Sequence, residues 1–489
     1  MSARNAISAV SIALLLSPLL ILAARGYAEG GAAFDVEETL DVLKITFNQA
    51  FASSLVSVVF GIMGGMGLIW ANTRFGERTA RVFEVVALLP NAVPVLLVLL
   101  AALKLFPTVR GLAGIVIVHA LLNIGLVAVS FAQLARAKVA GMAELAWIEG
   151  AGRTRFLLFG ALPYLRDDLA RLFLFVFAVC FSSFAVPLVM GGSGAVTIEV
   201  LIYHKLRVQG DWSAALLLAV LQIVVLLTFS FLLRREMAAG LASRLSRSPL
   251  LAWRWGAAAA IVPGVIVLGG SLKGFLSGWE GLLRLDALVR SLPELFLGSL
   301  TVGSLTGLLV VAWLALLAYA QPKGPARKFL LGFAAPSSVL VGFAILIVWR
   351  AIGWPTFIKI AIGLSLIIVP SFYRLQWDAL LQALEGQRAI ARVLGASEAL
   401  SFRQVVWPQI ARQGFFLGGL ASLWAWGDFA VSAVVAERSV TAAMVVEGLM
   451  ESYRLGPATS LVSLVIAGGF LNFAIFAGVG RVLGAKPVS

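Results

Sequence analysis

The feature that most constrains this chain is a series of twelve apolar runs, each about 18 to 25 residues long. Runs of this length can cross the hydrocarbon core of a bilayer as helices, and they lack the alternation of a strand. Hydrophobic residues make up 61% of the chain and charged residues 13%, which excludes a soluble globular fold. We therefore expect an all-α polytopic membrane protein. The predicted spans are residues 6–24, 51–71, 83–106, 112–133, 170–190, 213–233, 253–271, 295–320, 329–349, 357–377, 415–436 and 459–482.

The basic residues fall mainly on one predicted face of the membrane. With the N-terminus inside, 25 of the 38 Lys and Arg residues lie on the inner side and 13 on the outer side. Because positive charge concentrates on the cytoplasmic face, we expect a bacterial inner-membrane protein with both termini in the cytoplasm. The net charge of +14 then reflects topology. A nucleic-acid partner is the weaker interpretation, because the charges are spread over short loops instead of one patch.

One segment of the predicted cytoplasmic face occurs twice, and the second copy lies 245 positions after the first. In each copy a polar stretch leads to a glycine and then to a proline: Gly150 to Pro163, and Gly395 to Pro408. Each copy predicts two short helices joined by a glycine bend, and the proline is expected to end the second helix. The predicted helices are 144–149, 153–162, 389–394 and 399–407.

Two short helices with a bend would form a compact knob that suits a groove on another protein. The apolar side chains expected to make this contact are Phe156, Leu157, Phe402 and Val405. The alternative is an ordinary solvated loop. The double occurrence, each time just before the fifth span of its half, favours coupling to a partner.

The repeated segment resembles the EAA loop of permease subunits in binding-protein-dependent ABC importers. That pattern is E-A-A, three residues, G, nine residues, then I-x-L-P. The first copy keeps Glu144, Ala146, Gly150 and the Leu-Pro pair that ends at Pro163. The second copy has Ala389 in place of the glutamate. It keeps Ala391, Gly395 and Pro408.

The resemblance implies the transmembrane-domain fold of type I ABC importers, with about twelve helices in two homologous six-helix halves. The halves are 1–243 and 244–489, with EAA-like loops at 136–169 and 378–414. The implied partners are a homodimeric or paired ATPase on the cytoplasmic side, which binds the ATP, and an extracytoplasmic solute-binding protein. The residues expected to couple to the ATPase are Glu144, Ala146, Gly150, Leu157, Pro163, Ala391, Gly395, Phe402 and Pro408.

Further stretches resemble the permease group of thiamine and ferric-iron importers, so the expected cargo is a small solute such as thiamine or ferric iron. These are Phe181-Ser182-Ser183-Phe184-Ala185 in the first half and Trp426-Gly427-Asp428-Phe429-Ala430 in the second. The 245-residue offset pairs Ser183 with Asp428 and Phe184 with Phe429, and we expect these four to line the translocation path. Asp428 could instead form a purely structural pair, since a carboxylate within a span needs a partner.

Several chemical functions find no support in the sequence. There is no G-x-x-x-x-G-K-[S/T] phosphate loop, so no ATPase site of that kind is expected in this chain. His119 and His204 have no metal-ligand spacing, so we expect no metal site, and Cys180 is the single cysteine. Pro90 and Pro336, in the third span of each half, could gate a channel, although structural kinks are the commoner role.

Two other functions stay open as alternatives. A secondary transporter of the major-facilitator kind also has twelve spans in two halves, but it usually needs more than one intramembrane carboxylate, and only Asp428 stands out. An intramembrane enzyme would need a cluster of His, Asp or Glu at a membrane face. The first span resembles a cleaved signal, yet keeping it leaves two equal halves, so we expect it to be retained.

Overall fold

All regular elements in the described part of the chain are helical. The computed structural model describes residues 3–28, 35–232, 249–333, 337–349, 353–436 and 438–484. The α-helices are α1 (Ala3–Ala28), α2 (Val36–Phe75), α3 (Glu77–Ala92), α4 (Val95–Leu105), α5 (Gly111–Lys138), α6 (Ala140–Ile148), α7 (Arg153–Phe156), α8 (Leu162–Phe181), α9 (Ala185–Met190), α10 (Ile198–Tyr203), α11 (Trp212–Leu232), α12 (Gly256–Leu283), α13 (Asp286–Ala320), α14 (Gly324–Gly332), α15 (Ser338–Trp349), α16 (Thr356–Phe372), α17 (Asp378–Ala383), α18 (Glu385–Val393), α19 (Glu398–Ser401), α20 (Trp407–Trp426), α21 (Ala430–Val435), α22 (Ala442–Glu451) and α23 (Leu455–Leu483).

Seven of these helices are long and apolar enough to cross a membrane, and a bent pair would raise the number to eight. This confirms the prediction of an all-α polytopic membrane protein. The number twelve is not confirmed, because several predicted spans correspond to shorter or interrupted helices. The bent pair is α3 and α4, which meet at 99° next to Pro94. Pro90 lies within α3, while Pro336 and the predicted boundary between the halves lie outside the described residues.

Two predicted spans, 170–190 and 415–436, are not continuous helices. The first is divided into α8 and α9 by residues 182–184, and the second into α20 and α21 by residues 427–429. Ser182 and Gly427 follow the last helical residue of α8 and α20, and each leaves the α-helical backbone conformation. The flanking residues are apolar, so a window as long as a membrane span averages over the polar residues of each break and does not reveal it.

One part of the second half of the chain repeats the helix bounds of the first half. From α6 to α9, each helix has a counterpart among α18 to α21 that begins and ends 245 positions later. A π-helical turn precedes α8 at Leu157–Ala161, and its counterpart precedes α20 at Phe402–Val406. The duplication inferred from a short motif therefore extends across 51 consecutive residues, 140–190, of the fold.

The chain forms two compact units. One contains Met1–Val36, Ile198–Arg235 and Gly278–Ser489, and the other contains Glu37–Thr197 and Glu236–Ser277. The first unit thus combines α1, α10 and α11 with helices from the second half of the sequence. The division into permease halves at 1–243 and 244–489 stays a prediction about sequence duplication.

Glycines allow close helix packing in the unit that contains Glu37–Thr197. A Cβ atom on Gly67 of α2 would lie 2.0 Å from the backbone nitrogen of Ala257 of α12. A Cβ on Gly125 of α5 would lie 1.8 Å from the carbonyl oxygen of Ala87 of α3. Small residues at such crossings let helix backbones touch, which is a main source of helix association in lipid.

Candidate functional site

The repeated segment forms a knob in each half, as the sequence predicted. The first knob comprises residues 140–161 and the second knob residues 385–406. The first helix of each knob ends in a Schellman motif. The amide of Ala151 donates to the carbonyl of Ala146 at 2.8 Å, and Gly150 adopts a φ of 76°.

The second knob reproduces this geometry. The amide of Ala396 donates to the carbonyl of Ala391 at 3.0 Å, and Gly395 adopts a φ of 87°. Only a residue without a Cβ takes this backbone conformation without strain. The two alanines of the motif therefore act through their carbonyl groups, and the two glycines act through their conformational freedom.

The prolines after the knobs begin helices, contrary to the prediction that they end them. Pro163 and Pro408 are each the second residue of a long helix, α8 and α20. In each knob the second short helix continues through the π-helical turn into that long helix. Each proline lies where the π-helical turn passes into the long helix, so its missing N–H removes one backbone hydrogen bond at a point where the helical pattern already changes.

Each knob exposes a pair of apolar side chains on its first helix. Leu145 and Ile148 of the first knob are 66% and 76% exposed. The matching residues of the second knob, Ile390 and Val393, are 63% and 87% exposed. Residues three apart lie on the same helical face, so each pair forms one apolar surface. We call these surfaces the first and second apolar faces.

The apolar residues that the sequence predicted for a partner contact are Phe156, Leu157, Phe402 and Val405, and the four exposed side chains of the apolar faces are not among them. Phe156 is buried in a core cluster with Ala143, Ala161 and Leu165, and Leu157 packs against the same cluster. A signal was present in the sequence, because apolar residues recur at 145 and 148 and again 245 positions later. The predicted candidates lie on the second short helix and its π-helical turn, where Phe156 and Leu157 face the core while Leu158 and Phe159 are exposed.

The remaining predicted coupling residues are spread over the knobs and their bases. Glu144 and Pro163 are exposed, and Pro408 is half-buried. Phe402 is half-buried and contacts the ring of Tyr319 edge-on, with 5.6 Å between centroids. Val405 is half-buried as well.

The helices at the bases of the two knobs are fastened by different ion pairs. Near the first knob, the buried carboxylate of Asp168 lies 2.7 Å from Lys138 Nζ and 3.4 Å from Arg171. Near the second knob, Arg327 donates two 2.8 Å hydrogen bonds to the carboxylate of Asp378. The backbone geometry is repeated, whereas the side chains that hold it are not.

The second knob also contains a cluster of charged groups around Glu398. Its carboxylate accepts from Arg388 at 2.8 Å and from Arg4 at 2.9 Å, and it lies 3.4 Å from Arg392. Partial burial alone would raise the pKa of the Glu398 carboxyl. The hydrogen bond from Arg388, together with the charges of Arg4 and Arg388, holds that pKa below its usual value.

The four predicted path residues lie at the helix breaks. Ser183 and Phe184 lie between α8 and α9, and Asp428 and Phe429 lie between α20 and α21. Both phenylalanines are buried, while Ser183 and Asp428 are half-buried. Their placement at matching breaks follows the 245-residue offset. Their contact with a solute stays a prediction.

Asp428 has local hydrogen-bond partners. Its carboxylate accepts from the amide of Val431 at 3.4 Å, and from the amide and hydroxyl of Ser432 at 3.2 Å each. These donors belong to the first turn of α21, so the carboxylate satisfies amides that the helix itself leaves unpaired. The structural pairing considered for Asp428 is therefore present.

Curated relatives of this chain are permeases. The thiamine transport system permease protein ThiP of Brucella abortus is 30% identical over 244 residues, which cover 44% of this chain and 43% of the relative. This chain resembles the thiamine transport permeases. The Escherichia coli protein of the same name is 31% identical over 211 residues, covering 40% of this chain and 39% of the relative. The Haemophilus influenzae protein is 26% identical over 219 residues, covering 42% and 41%.

The match spans less than half the length of each relative. The resemblance to the thiamine permease group, predicted from sequence motifs, is confirmed over that part. No protein-family profile matches the chain. No solved structure matches it either.

Proposed function

We propose that this chain is the permease subunit of an ATP-driven importer in a bacterial inner membrane. One observation carries the proposal: two knobs with the same backbone geometry, 245 positions apart, each present an exposed apolar pair. The names of the curated relatives support it, because they describe the permease protein of a transport system.

The occupant of the two apolar faces is a pair of identical ATPase subunits. Two identical ATPase subunits offer identical grooves, so the contact must use features that both apolar faces share. These shared features are the apolar residues at 145 and 148 and at 390 and 393. Glu144 has no acidic counterpart, because Ala389 occupies the matching position. The apolar contact therefore supplies the common attachment, and any polar contact made by Glu144 belongs to one side.

The knobs transmit work only if the ATPase pair binds one state of the membrane helices more tightly than another. A partner with equal affinity for both states shifts no equilibrium, however tightly it binds. The long helices α8 and α20 continue directly from the knobs and lead to the breaks at 182–184 and 427–429. Movement of a knob would therefore reach each break along one helix.

The cargo is a small solute delivered by an extracytoplasmic solute-binding protein. Thiamine is the first candidate, because the curated relatives are named for it. Ferric iron is the second, from the group that the sequence motifs resemble.

Affinity purification of the tagged chain from native membranes, followed by mass spectrometry, tests the proposal. The test variant combines Leu145→Asp and Ile390→Asp, which place a carboxylate on each apolar face. The matched control combines Thr154→Asp and Ala399→Asp, which add the same charges at exposed positions of the same knobs. We expect a phosphate-loop ATPase with the unmodified chain and with the control, and its loss with the test variant.

The opposite result would support a different transporter. If the unmodified chain yields no ATPase even after mild crosslinking, the ATP-driven mechanism is wrong and a self-sufficient secondary transporter becomes the better explanation. If the test variant and the control retain the ATPase equally, the partner is present but the apolar faces are not its contact.

A further inference from the structure

The second knob is joined to two other helices by charged side chains. Within the part of the chain that the structure describes, the first knob shows no such arrangement. Arg388 lies on α18 and is almost completely buried, with 1% of its surface exposed. Its guanidinium donates to the carbonyl oxygens of Ala318 and Tyr319 at 3.0 and 2.9 Å, and to Glu398 at 2.8 Å. One buried side chain thus connects both short helices of the second knob to the end of α13.

Arg4, at the start of α1, completes the arrangement. Its Nε donates to the carbonyl oxygen of Ala320 at 2.9 Å, and its Nη1 donates to Glu398 at the same distance. The last carbonyl groups of a helix have no partner within the helix and carry partial negative charge. Here the two arginines supply those partners for residues 318–320 of α13 while also binding the knob.

The backbone after α13 indicates that this contact constrains the chain. Gln321 follows α13 with a φ of 47°, a conformation that a residue with a Cβ rarely adopts. Its side-chain oxygen lies 3.5 Å from a guanidinium nitrogen of Arg4. The matching position in the first half is Gly76, with a φ of 82°. A strained backbone conformation persists only where surrounding contacts hold it in place. Arg4 provides such contacts to Gln321 and to the neighbouring Ala320.

The matching positions in the first knob cannot form the same contacts. Ala143 stands where the second knob has Arg388, and Arg153 stands where it has Glu398. Ala143 is buried in the apolar core, and Arg153 donates instead to the carbonyl oxygen of Pro249 at 3.0 Å. The pairing of charges has no counterpart there.

We propose that Arg4, Arg388 and Glu398 form a charged clamp that positions the second knob, so that the two knobs are held by different contacts. The clamp ties the second knob to the start of α1 and to the end of α13. The first knob is held mainly by apolar packing. A movement of α1 therefore reaches the second knob directly through Arg4. The inference rests on the proposed function only where it says that the knob is positioned to bind an ATPase. The contacts of the clamp lie within this chain and need no partner protein.

Hydrogen exchange of the purified full-length chain in lipid nanodiscs, without any partner protein, tests the clamp. The variants are Arg4→Gln, Glu398→Gln and their combination, which leave the buried Arg388 in place. The control is Arg155→Gln, which removes an exposed cation from the first knob. We expect each single variant to raise exchange of the amides at 385–401 by about tenfold, as the loss of a charged hydrogen bond implies.

Three features of the result distinguish a clamp from general stabilisation. Exchange at 140–156 and in the interior of α20 stays unchanged. The effects of the two substitutions on exchange are not additive. Adding Arg4→Gln to Glu398→Gln raises exchange by less than Arg4→Gln does alone, because Arg4 acts through Glu398. The control changes neither knob. Unchanged exchange at 385–401, or an equal rise in both knobs, would overturn the proposal.

A second measurement links the clamp to transport. In the complex with its ATPase, Arg4→Gln should lower kcat for ATP hydrolysis and leave KM for ATP unchanged, because the nucleotide site is on the partner. An unchanged kcat would show that the clamp does not position the knob for coupling. Failure to recover any ATPase would contradict the proposed function and leave the exchange result standing.

Discussion

Gly150 and Gly395 adopt the same left-handed conformation at positions 245 residues apart, with φ angles of 76° and 87°. Each follows the first helix of a knob, and each permits the same pair of backbone hydrogen bonds that ends that helix. A Cβ on either glycine would meet no atom within 4 Å. The requirement for glycine is therefore conformational and not a matter of space.

Replacing these glycines should separate backbone strain from steric size. We expect Gly150→Val with Gly395→Val to distort both bends, since a side chain in this conformation costs about 1–2 kcal/mol per residue. Asparagine tolerates the left-handed region, so Gly150→Asn with Gly395→Asn is the matched control. Recovery of the ATPase by affinity purification should fall for the valine variant and persist for the asparagine variant. Equal recovery would mean that the bends do not position the contact.

The crossing of α2 and α12 should be sensitive to one methyl group. In Gly67→Ala the new Cβ would lie 2.0 Å from a backbone nitrogen, so the helices must separate. We expect a loss of about 1–3 kcal/mol, typical of overpacking, seen as a lower midpoint of thermal denaturation in detergent. Gly141→Ala is the control, because no atom lies within 4 Å of its Cβ. If both variants denature at the same temperature, α2 and α12 do not pack as closely as described.

The ion pair at the base of the second knob should contribute to stability. Asp378 is buried and accepts two 2.8 Å hydrogen bonds from Arg327, and Asp378→Leu removes both charged hydrogen bonds. We expect a cost of about 3 kcal/mol in the free energy of unfolding. The exposed pair of Glu77 and Arg81 is the comparison, and Glu77→Gln should cost at most about 1 kcal/mol. Similar costs for the two variants would contradict this difference.

Glu447 should make the stability of α22 depend on pH. It lies outside the candidate membrane spans, and burial, followed by repulsion from Glu451, raises its pKa from 4.5 to about 7. Because the folded protein holds this proton more tightly than the unfolded chain, the stabilisation is full below pH 4.5 and is lost as pH rises toward 7. We expect amide exchange in α22 to quicken about tenfold between pH 5 and 8, after correction for intrinsic rates.

The matched variant for this prediction is Glu447→Gln, which removes the titrating group. Tyr203 interacts with the same two carboxylates, but burial raises the pKa of its phenol above the usual value, so it stays neutral between pH 5 and 8. Tyr203→Phe should therefore leave the pH dependence in place. A pH dependence that survives in Glu447→Gln would assign the effect to another group.

The sequence predicted the features that depend on local chemistry. The long apolar runs indicated membrane helices, and glycines at matching positions predicted the bends at 150 and 395. The prediction that Pro163 and Pro408 end helices was wrong. A proline near the start of a helix and a proline after its end look alike in sequence. Only the path of the backbone distinguishes them.

Features that depend on distant contacts could not be predicted. The breaks at 182–184 and 427–429 lie within apolar stretches. Hydropathy indicates that such a stretch is buried in lipid or protein, but it does not indicate whether the helix is continuous. Arg4 and Glu398 are 394 residues apart, and no pattern in either segment indicates the other. The buried Arg388 likewise stands in a segment whose composition suggests an exposed helix.

Cysteine crosslinking at the two knobs tests the central claim most directly. Cys180 is the single native cysteine and is buried, so Ile148→Cys and Val393→Cys each introduce one accessible thiol. In native membranes we predict that both variants crosslink to the same polypeptide, and that this polypeptide carries a phosphate loop. Crosslinking of neither knob to an ATPase, under conditions in which exposed thiols react fully, would contradict the account.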